Sequence, residues 1–518
     1  MSTTHHHETE TRSWFARPLS GLMSLTGWLV ATGVFFAIMY ALGGPSEGDF
    51  AESAYSIWAM AHAHFACDFI SSTHFNLGGQ ANPYAPVAPL FPMIGAALFD
   101  LFRLGHVSSA YPSVAAMGSH CQNAVQLAFQ WTKANPGVVV RTLRTGEVGW
   151  FFLLWGYLDV MRTTKWKSTV LESLGAVLLA LNLPIAMPLA GFYHPQDLIA
   201  IGLSLVAVGQ ARRGHWVRAG VYAGLGFTSQ QMALFVVVLL LALAPWTFRR
   251  VTQMAPVRLL AGAGAAVAAI GLPVILTSPI GGLRAVVLGS SRAGQVRGFG
   301  GTVLWELNLH GFLQFFVARV APFLATAVIG VLARRRYGDR VFEAPILASL
   351  VTLAFLTRLV FEINLFGYYF AAAAVSLMVA DLVAGKVRGT TWAWIGLIIA
   401  AFEPVHVGLF SNWTTWEIPL HYIVLDTMIG IAVLSMLADV RRREFRPFKA
   451  FFVAVVVLTT SWLPGTSVIF GPPNWLWQIY LVPEGINLAL QSLWAGAKAP
   501  VALEEPSESD DDALVGLA

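Results

Sequence analysis

Apolar runs separated by short polar or basic clusters recur along the chain. They lie near 22–43, 86–104, 147–161, 169–190, 196–211, 218–247, 257–277, 310–333, 343–360, 366–384, 390–410, 418–440 and 448–464. A helix needs about 20 apolar residues to cross a bilayer, and several runs are shorter than that. The pattern predicts an all-α, polytopic integral membrane protein with about 11–14 transmembrane helices. The clusters Arg212-Arg213, Arg249-Arg250, Arg334-Arg335-Arg336 and Arg441-Arg442-Arg443 mark cytoplasmic loops, because positive charge accumulates on that side. The N-terminus, with Arg12 and Arg17, then also lies inside.

That orientation puts 44–85 outside, with the turns near 191–196, 278–302, 361–365 and 411–417. One region resists it. If 86–104 crosses fully, Arg162, Lys165 and Lys167 fall on the wrong side, so either 86–104 is re-entrant or 105–146 contains another crossing. The chain divides into a cytoplasmic segment 1–21, a membrane domain 22–464 with its first outer loop at 44–85, an interfacial or final membrane segment 465–496, and an acidic tail 497–518. The tail reads as a solvated, disordered end. No internal repeat is visible, which weighs against transporter folds built from repeats.

Composition agrees with the pattern. Only 12% of the 518 residues are charged, the hydrophobic share is 56%, and mean hydropathy is +0.64. Soluble chains carry about 25% charged residues. The net charge of +4 sits in short clusters between apolar runs, so the charge orients helices and no nucleic-acid partner is expected. The first apolar run is long enough to span and lacks a small-residue cleavage pattern. Cys67 and Cys121 are too few for a metal site; both fall in segments read as extracytoplasmic, where pairing is allowed.

Polar groups at membrane depth are costly unless paired or used, so they are the functional candidates. Asp49 follows the first spanning helix within a few residues, ahead of an amphipathic stretch with Trp58, His62, His64 and Asp68. A helix cap accounts for Asp49, and so does a general base that takes a proton from an attacking hydroxyl. In Tyr193-His194-Pro195-Gln196-Asp197, His194 and Asp197 stand at a helix start, where the dipole favours an anion. Pro195 and Asp197 are ordinary for such a start; His194 and Gln196 are left over. Ser229-Gln230-Gln231 interrupts an apolar stretch bounded by basic clusters. If both ends are cytoplasmic the chain turns back there, with the two amides at an outer hairpin tip; otherwise they are buried in one long helix. Arg358 and Glu362, four residues apart, suit either a self-neutralising ion pair or a lipid-phosphate site. Tyr368, Tyr369, His421 and the outer-loop arginines Arg284, Arg292 and Arg297 are weaker candidates.

In this order, the features resemble the GT-C superfamily of membrane glycosyltransferases. The chain is most similar to actinobacterial mannosyltransferases that use a polyprenyl-phosphate sugar. The resemblance rests on Gly48-Asp49-Phe50, Pro83-Tyr84-Ala85-Pro86, His194-Pro195-Gln196-Asp197, Arg212-Arg213-Gly214-His215-Trp216, Ala219-Gly220 and Gly224-Leu225-Gly226, roughly the first half of the chain. Gln230-Gln231 stands where many relatives carry a lysine. The resemblance implies inverting transfer of a sugar, mannose above all, from polyprenyl phosphate to a hydroxyl of a glycolipid or polysaccharide outside the membrane. Asp49 would be the base and His194 the group that stabilises the departing phosphate, with Arg358 assisting. Asp68, Gln196, Asp197, Gln230, Gln231, Glu362 and Tyr368 would contact substrate. It implies no metal and no further cofactor. A lipid or polyprenol flippase, or a non-catalytic scaffold of envelope assembly, would use the same polar groups differently.

Overall fold

The computed structural model describes residues 16–42, 44, 130, 133–134, 143–162, 169–190, 193–246, 251, 254–277, 302–309, 312–313, 316–363, 365–407 and 474–498. Asp49, Asp68, the histidines between them, both cysteines, Arg284, Arg292, Arg297, His421 and the acidic tail lie outside these residues. Within them the chain is all-helical. Its α-helices are α1 (Ala16–Ala41), α2 (Val148–Arg162), α3 (Thr169–Ala180), α4 (Met187–Ala190), α5 (Pro195–Arg212), α6 (Trp216–Ser229), α7 (Ala233–Leu243), α8 (Ala255–Thr277), α9 (Val303–Glu306), α10 (Ala321–Tyr337), α11 (Ala344–Val360), α12 (Ala371–Val383), α13 (Gly389–Val407) and α14 (Asn474–Lys498).

Glycine sets how closely the helices approach. A methyl group on Gly156 would strike the backbone of Gly202, so α2 and α5 touch backbone to backbone there. Gly149 faces Leu198 and Gly209 faces Asp159, which makes the two helices parallel. Gly220 and Gly224 of α6 lie against Leu259 and Ala263 of α8, again in parallel. Small residues four apart let helix backbones close in this way where there is no water to drive association. The Ala219-Gly220 and Gly224-Leu225-Gly226 segments are therefore packing surfaces.

The long apolar stretch 218–247 is two helices. Gln230 is extended (φ −153°, ψ 137°) and breaks the stretch between α6 and α7. Ser229 and Thr228 turn their hydroxyls onto the Leu225 carbonyl, at 2.9 Å each, consuming acceptor capacity at the end of α6. The hairpin alternative is the one realised.

Alternation of direction sorts the polar residues between two ends of the bundle. Thr326 of α10 meets Thr357 of α11 at 2.9 Å, and Gly485 and Gly496 of α14 meet Leu356 and Pro345 of α11. One end carries Arg162, Arg212, Arg213, Arg218, Arg258, the triplet Arg334 to Arg336, Arg340, Lys386, Arg388 and Lys498. The other carries Tyr193 to Asp197, the Gln230 break and Arg358, with Arg144 and Arg319 as its further basic residues among those described between 143 and 498. Because α2 runs parallel to α5, Arg162 joins Arg213 at the basic end, where Asp159 holds Arg213 at 2.6 Å. The difficulty over the side of Arg162 is thereby removed. Gly44 and Leu143, which bracket the intervening segment, sit at the same, opposite end, since the Arg144 guanidinium lies over Gly44.

At the basic end, buried Asp381 accepts from Arg388 (2.8 Å), Thr391 (2.7 Å) and Ser492 (3.0 Å). This fully paired network ties α12, α13 and α14 together. Among the described residues one helical run, Phe316–Phe342, with 27 residues and mean hydropathy 2.0, is long and apolar enough to cross a membrane by length and composition. Only 22% of its most apolar window is buried.

Gly156→Leu and Gly220→Leu should lower thermal stability in detergent by about 1–3 kcal/mol or more, because overpacked cores yield only by backbone movement. Gly33→Leu and Gly264→Leu, with nothing within 4 Å of the added carbon, should leave the unfolding temperature nearly unchanged. Melting curves of the four proteins compare them directly.

Candidate functional site

The site forms where α5 begins. Pro195 occupies the first helical position, which suits its fixed φ and missing N–H. Tyr193 precedes it at φ 55°, a left-handed conformation that a bulky residue adopts only when its surroundings impose it. Those surroundings are tight: Tyr193 is fully buried, and its ring lies against Gly146, where a methyl would stand 2.9 Å from Cε2. This turn fixes the direction of His194.

His194 is buried and bonded on several sides. The Gln196 amide nitrogen donates to its Nδ1 at 3.1 Å. The Tyr368 ring stacks beside it, centroids 4.6 Å apart. Asp197 lies 3.9 Å from Nδ1, too far for a hydrogen bond. Its carboxylate instead accepts from the Gln230 amide at 2.8 Å. Gln230 uses its other amide atom to accept the Gln231 backbone N–H at 3.0 Å. One side chain therefore pins the α6–α7 hairpin onto the first turn of α5.

This geometry changes one expectation. The positive start of α5 already holds an anion, the chain's own Asp197 in the first turn. A bound phosphate would have to be held from the side by His194 and Arg358 rather than by the helix start. Gln230 and Asp197 are each other's partners, and Gln231 contributes its backbone alone.

Arg358 reaches the cluster from the end of α11. Its Nε donates to Glu362 at 3.2 Å and its guanidinium covers the Tyr369 ring at 4.3 Å. The ion pair anticipated from the spacing is present, although α11 stops at Val360 and Glu362 lies just beyond the helix. Both guanidinium amino groups remain without a hydrogen bond to the described chain. Tyr369 and Tyr368 stand edge to face at 4.6 Å, so a continuous aromatic path joins Arg358 to His194. Arg358 also interacts electrostatically with Asp197.

Gln478 is the member that sequence reasoning missed. From α14 it donates to the carbonyls of Leu359 (2.7 Å) and Val360 (2.9 Å) in the last turn of α11 and of Glu362 (3.3 Å) just beyond it. Its oxygen accepts the Val303 N–H at 2.8 Å, and Thr302 beside it donates to the Ile363 carbonyl at 2.6 Å. Nothing in Trp477-Gln478-Ile479 marks this role, since the partners are more than a hundred residues away. The structure thus brings His194, Gln196, Asp197, Gln230, Arg358, Glu362 and Tyr368 to one end of the bundle. Among the described residues no group of three His, Cys, Asp or Glu is placed to hold a metal ion. A scan against protein-family models finds no match to the chain, and a search of curated proteins finds none.

Gln478→Leu should cost about 1–3 kcal/mol, since it strands buried acceptors. It should also speed amide hydrogen exchange over residues 357–363 relative to the middle of α11. Gln231→Ala should stay within about 0.5 kcal/mol of the parent, as its side chain carries no bond. Exchange mass spectrometry with thermal melts tests both.

Proposed function

We propose that the chain is a multi-pass membrane glycosyltransferase of GT-C type, transferring a sugar, with mannose the first candidate, from polyprenyl phosphate to a hydroxyl outside the membrane. The observation that carries this reading is the convergence of His194 and Arg358, from α5 and α11, on one buried polar cluster at the end of the bundle away from the basic residues. A bilayer setting is supported by that charge sorting and by the apolar surface of Phe316–Phe342, where Leu324, Val328, Val331 and Leu332 are exposed. In that setting the basic end and the N-terminus face the cytoplasm, and membrane lipids surround the helices.

In the reaction so assigned, the acceptor oxygen attacks the anomeric carbon as the bond from that carbon to the phosphate oxygen breaks. The hydroxyl proton passes to Asp49, the configuration inverts, and polyprenyl phosphate leaves with the bonding electron pair. The His194 ring and the two amino groups of Arg358, which make no hydrogen bond among the described residues, are suited to the charge that develops on the leaving oxygen. Fixed donors aimed at developing charge are often the largest catalytic contribution. Asp68 is assigned to sugar hydroxyls. Glycolipid or polysaccharide acceptors both fit, and no nucleic acid is involved.

Purified protein supplied with radiolabelled polyprenyl-phosphate mannose and a membrane-lipid extract should transfer label to extractable glycolipid or polysaccharide. Asp49→Asn should bind donor normally and lose about 10²–10⁴-fold in turnover. His194→Ala should slow transfer and weaken donor binding together. Full turnover by Asp49→Asn would remove the assigned base, and absence of transfer with several donors would turn attention to lipid flipping.

A further inference from the structure

Arg144 stands at the same end of the bundle, in the short turn that leads into α2. Its Nη1 donates to Glu147 at 2.9 Å, and Glu147 is buried. Among the described residues its Nη2 and Nε make no hydrogen bond, and its side chain is 39% exposed. Two contacts fix where it lies. On one side is Gly44, where the chain leaves α1 with φ 84°; a methyl there would stand 3.1 Å from Nη2. On the other, the Thr145–Glu147 turn rests on the His194 turn, since Gly146 faces both Tyr193 and Pro195.

The arrangement repeats that of Arg358. Each arginine spends one N–H on a glutamate three or four residues later, Glu147 or Glu362, and its remaining donors make no hydrogen bond among the described residues. The glutamate holds the guanidinium in place; the unspent face is a planar pair of N–H donors of the kind that takes a phosphate oxygen pair. Each is linked to the His194 turn by contacts, Arg144 through Gly146 and Tyr193, Arg358 through Tyr369 and Tyr368. A salt bridge serving only Glu147 would be met by one N–H, and among the described residues it leaves the remaining donors without a partner.

We infer that Arg144 is a second anion-binding residue, which takes a phosphate ester presented at the membrane surface beside His194. Two sources carry that chemistry, the phosphate of a polyprenyl monophosphate and the headgroup of an anionic phospholipid. The inference rests on the glycosyltransferase reading only for the choice of the first as a probe.

The test uses the full chain in phosphatidylcholine nanodiscs doped with either polyprenyl monophosphate or phosphatidylglycerol, with binding read by native mass spectrometry. Arg144→Gln combined with Glu147→Gln removes both charges together, so no buried carboxylate is left unpaired and folding is retained. The double variant should lose at least about tenfold in affinity for one of the two lipids, the worth of one charge-assisted hydrogen bond. The lipid affected identifies the source. Glu147→Gln alone keeps the positive charge but loosens its position, so it should weaken binding by less than the double variant does. Parental affinity for both lipids in the double variant would overturn the inference. Arg358→Gln, measured alongside, separates the two readings. Loss of polyprenyl phosphate there, with both lipids bound at parental affinity by the double variant, keeps the proposed function and removes this one. Arg144-dependent binding of phosphatidylglycerol alone does the reverse.

Discussion

A buried helix end must find partners for the carbonyls or N–H groups that its own hydrogen-bond ladder leaves over. At the His194 end of this protein the requirement is met for α11 and α9 by a side chain from another helix, Gln478. Gln478 closes α11 with three carbonyls, and its remaining acceptor closes the start of α9. In the first turn of α5, Asp197 faces the positive helix end and its carboxylate accepts from Gln230 at the α6–α7 break. Each cap therefore links two or three helices, and the polar cluster is the place where those links meet. His194 and Arg358 are held in register because the helices that carry them end there together.

Close packing supplies the second constraint. The helices stand near enough for these short side chains to reach across because glycine removes the separating bulk, at Gly156 with Gly202 and at Gly220 and Gly224 with α8. A wider spacing would put Gln230 out of reach of Asp197. The same glycines give the bundle its parallel pairs, α2 with α5 and α6 with α8, and hence determine which end each arginine reaches.

Much of the fold could be read from local pattern. The apolar runs locate most of the helices to within a few residues, and the polar interruption at Ser229-Gln230-Gln231 marks a real break. The cluster was legible wherever a costly polar residue stood in an apolar stretch, as with His194, Asp197 and Arg358. It was not legible where a residue's meaning depends on a distant partner. Gln478 is an unremarkable glutamine at a helix start until α11 is seen to end beside it. Arg144 lay in the region whose crossing pattern was left open, and only the parallel course of α2 and α5 brings it beside the His194 turn. The glycine motifs that carried the family resemblance are explained by packing alone, so their presence constrains architecture more than chemistry. The role of Asp49 rests on sequence.

The position of α14 has a consequence for how the molecule comes into being. This helix is tied at both ends, by Gln478 to α11 and by Ser492 to Asp381 and Arg388, yet it is made after every helix it fastens. During synthesis the end of α11 that carries Arg358 stays uncapped until residue 478 has left the ribosome. The earlier helices can pair through their glycines, but the polar cluster gains its final geometry as a late, single event. Assembly of the site is in this sense a quality check on the chain: a molecule interrupted before 474 would leave the end of α11 without its Gln478 partner.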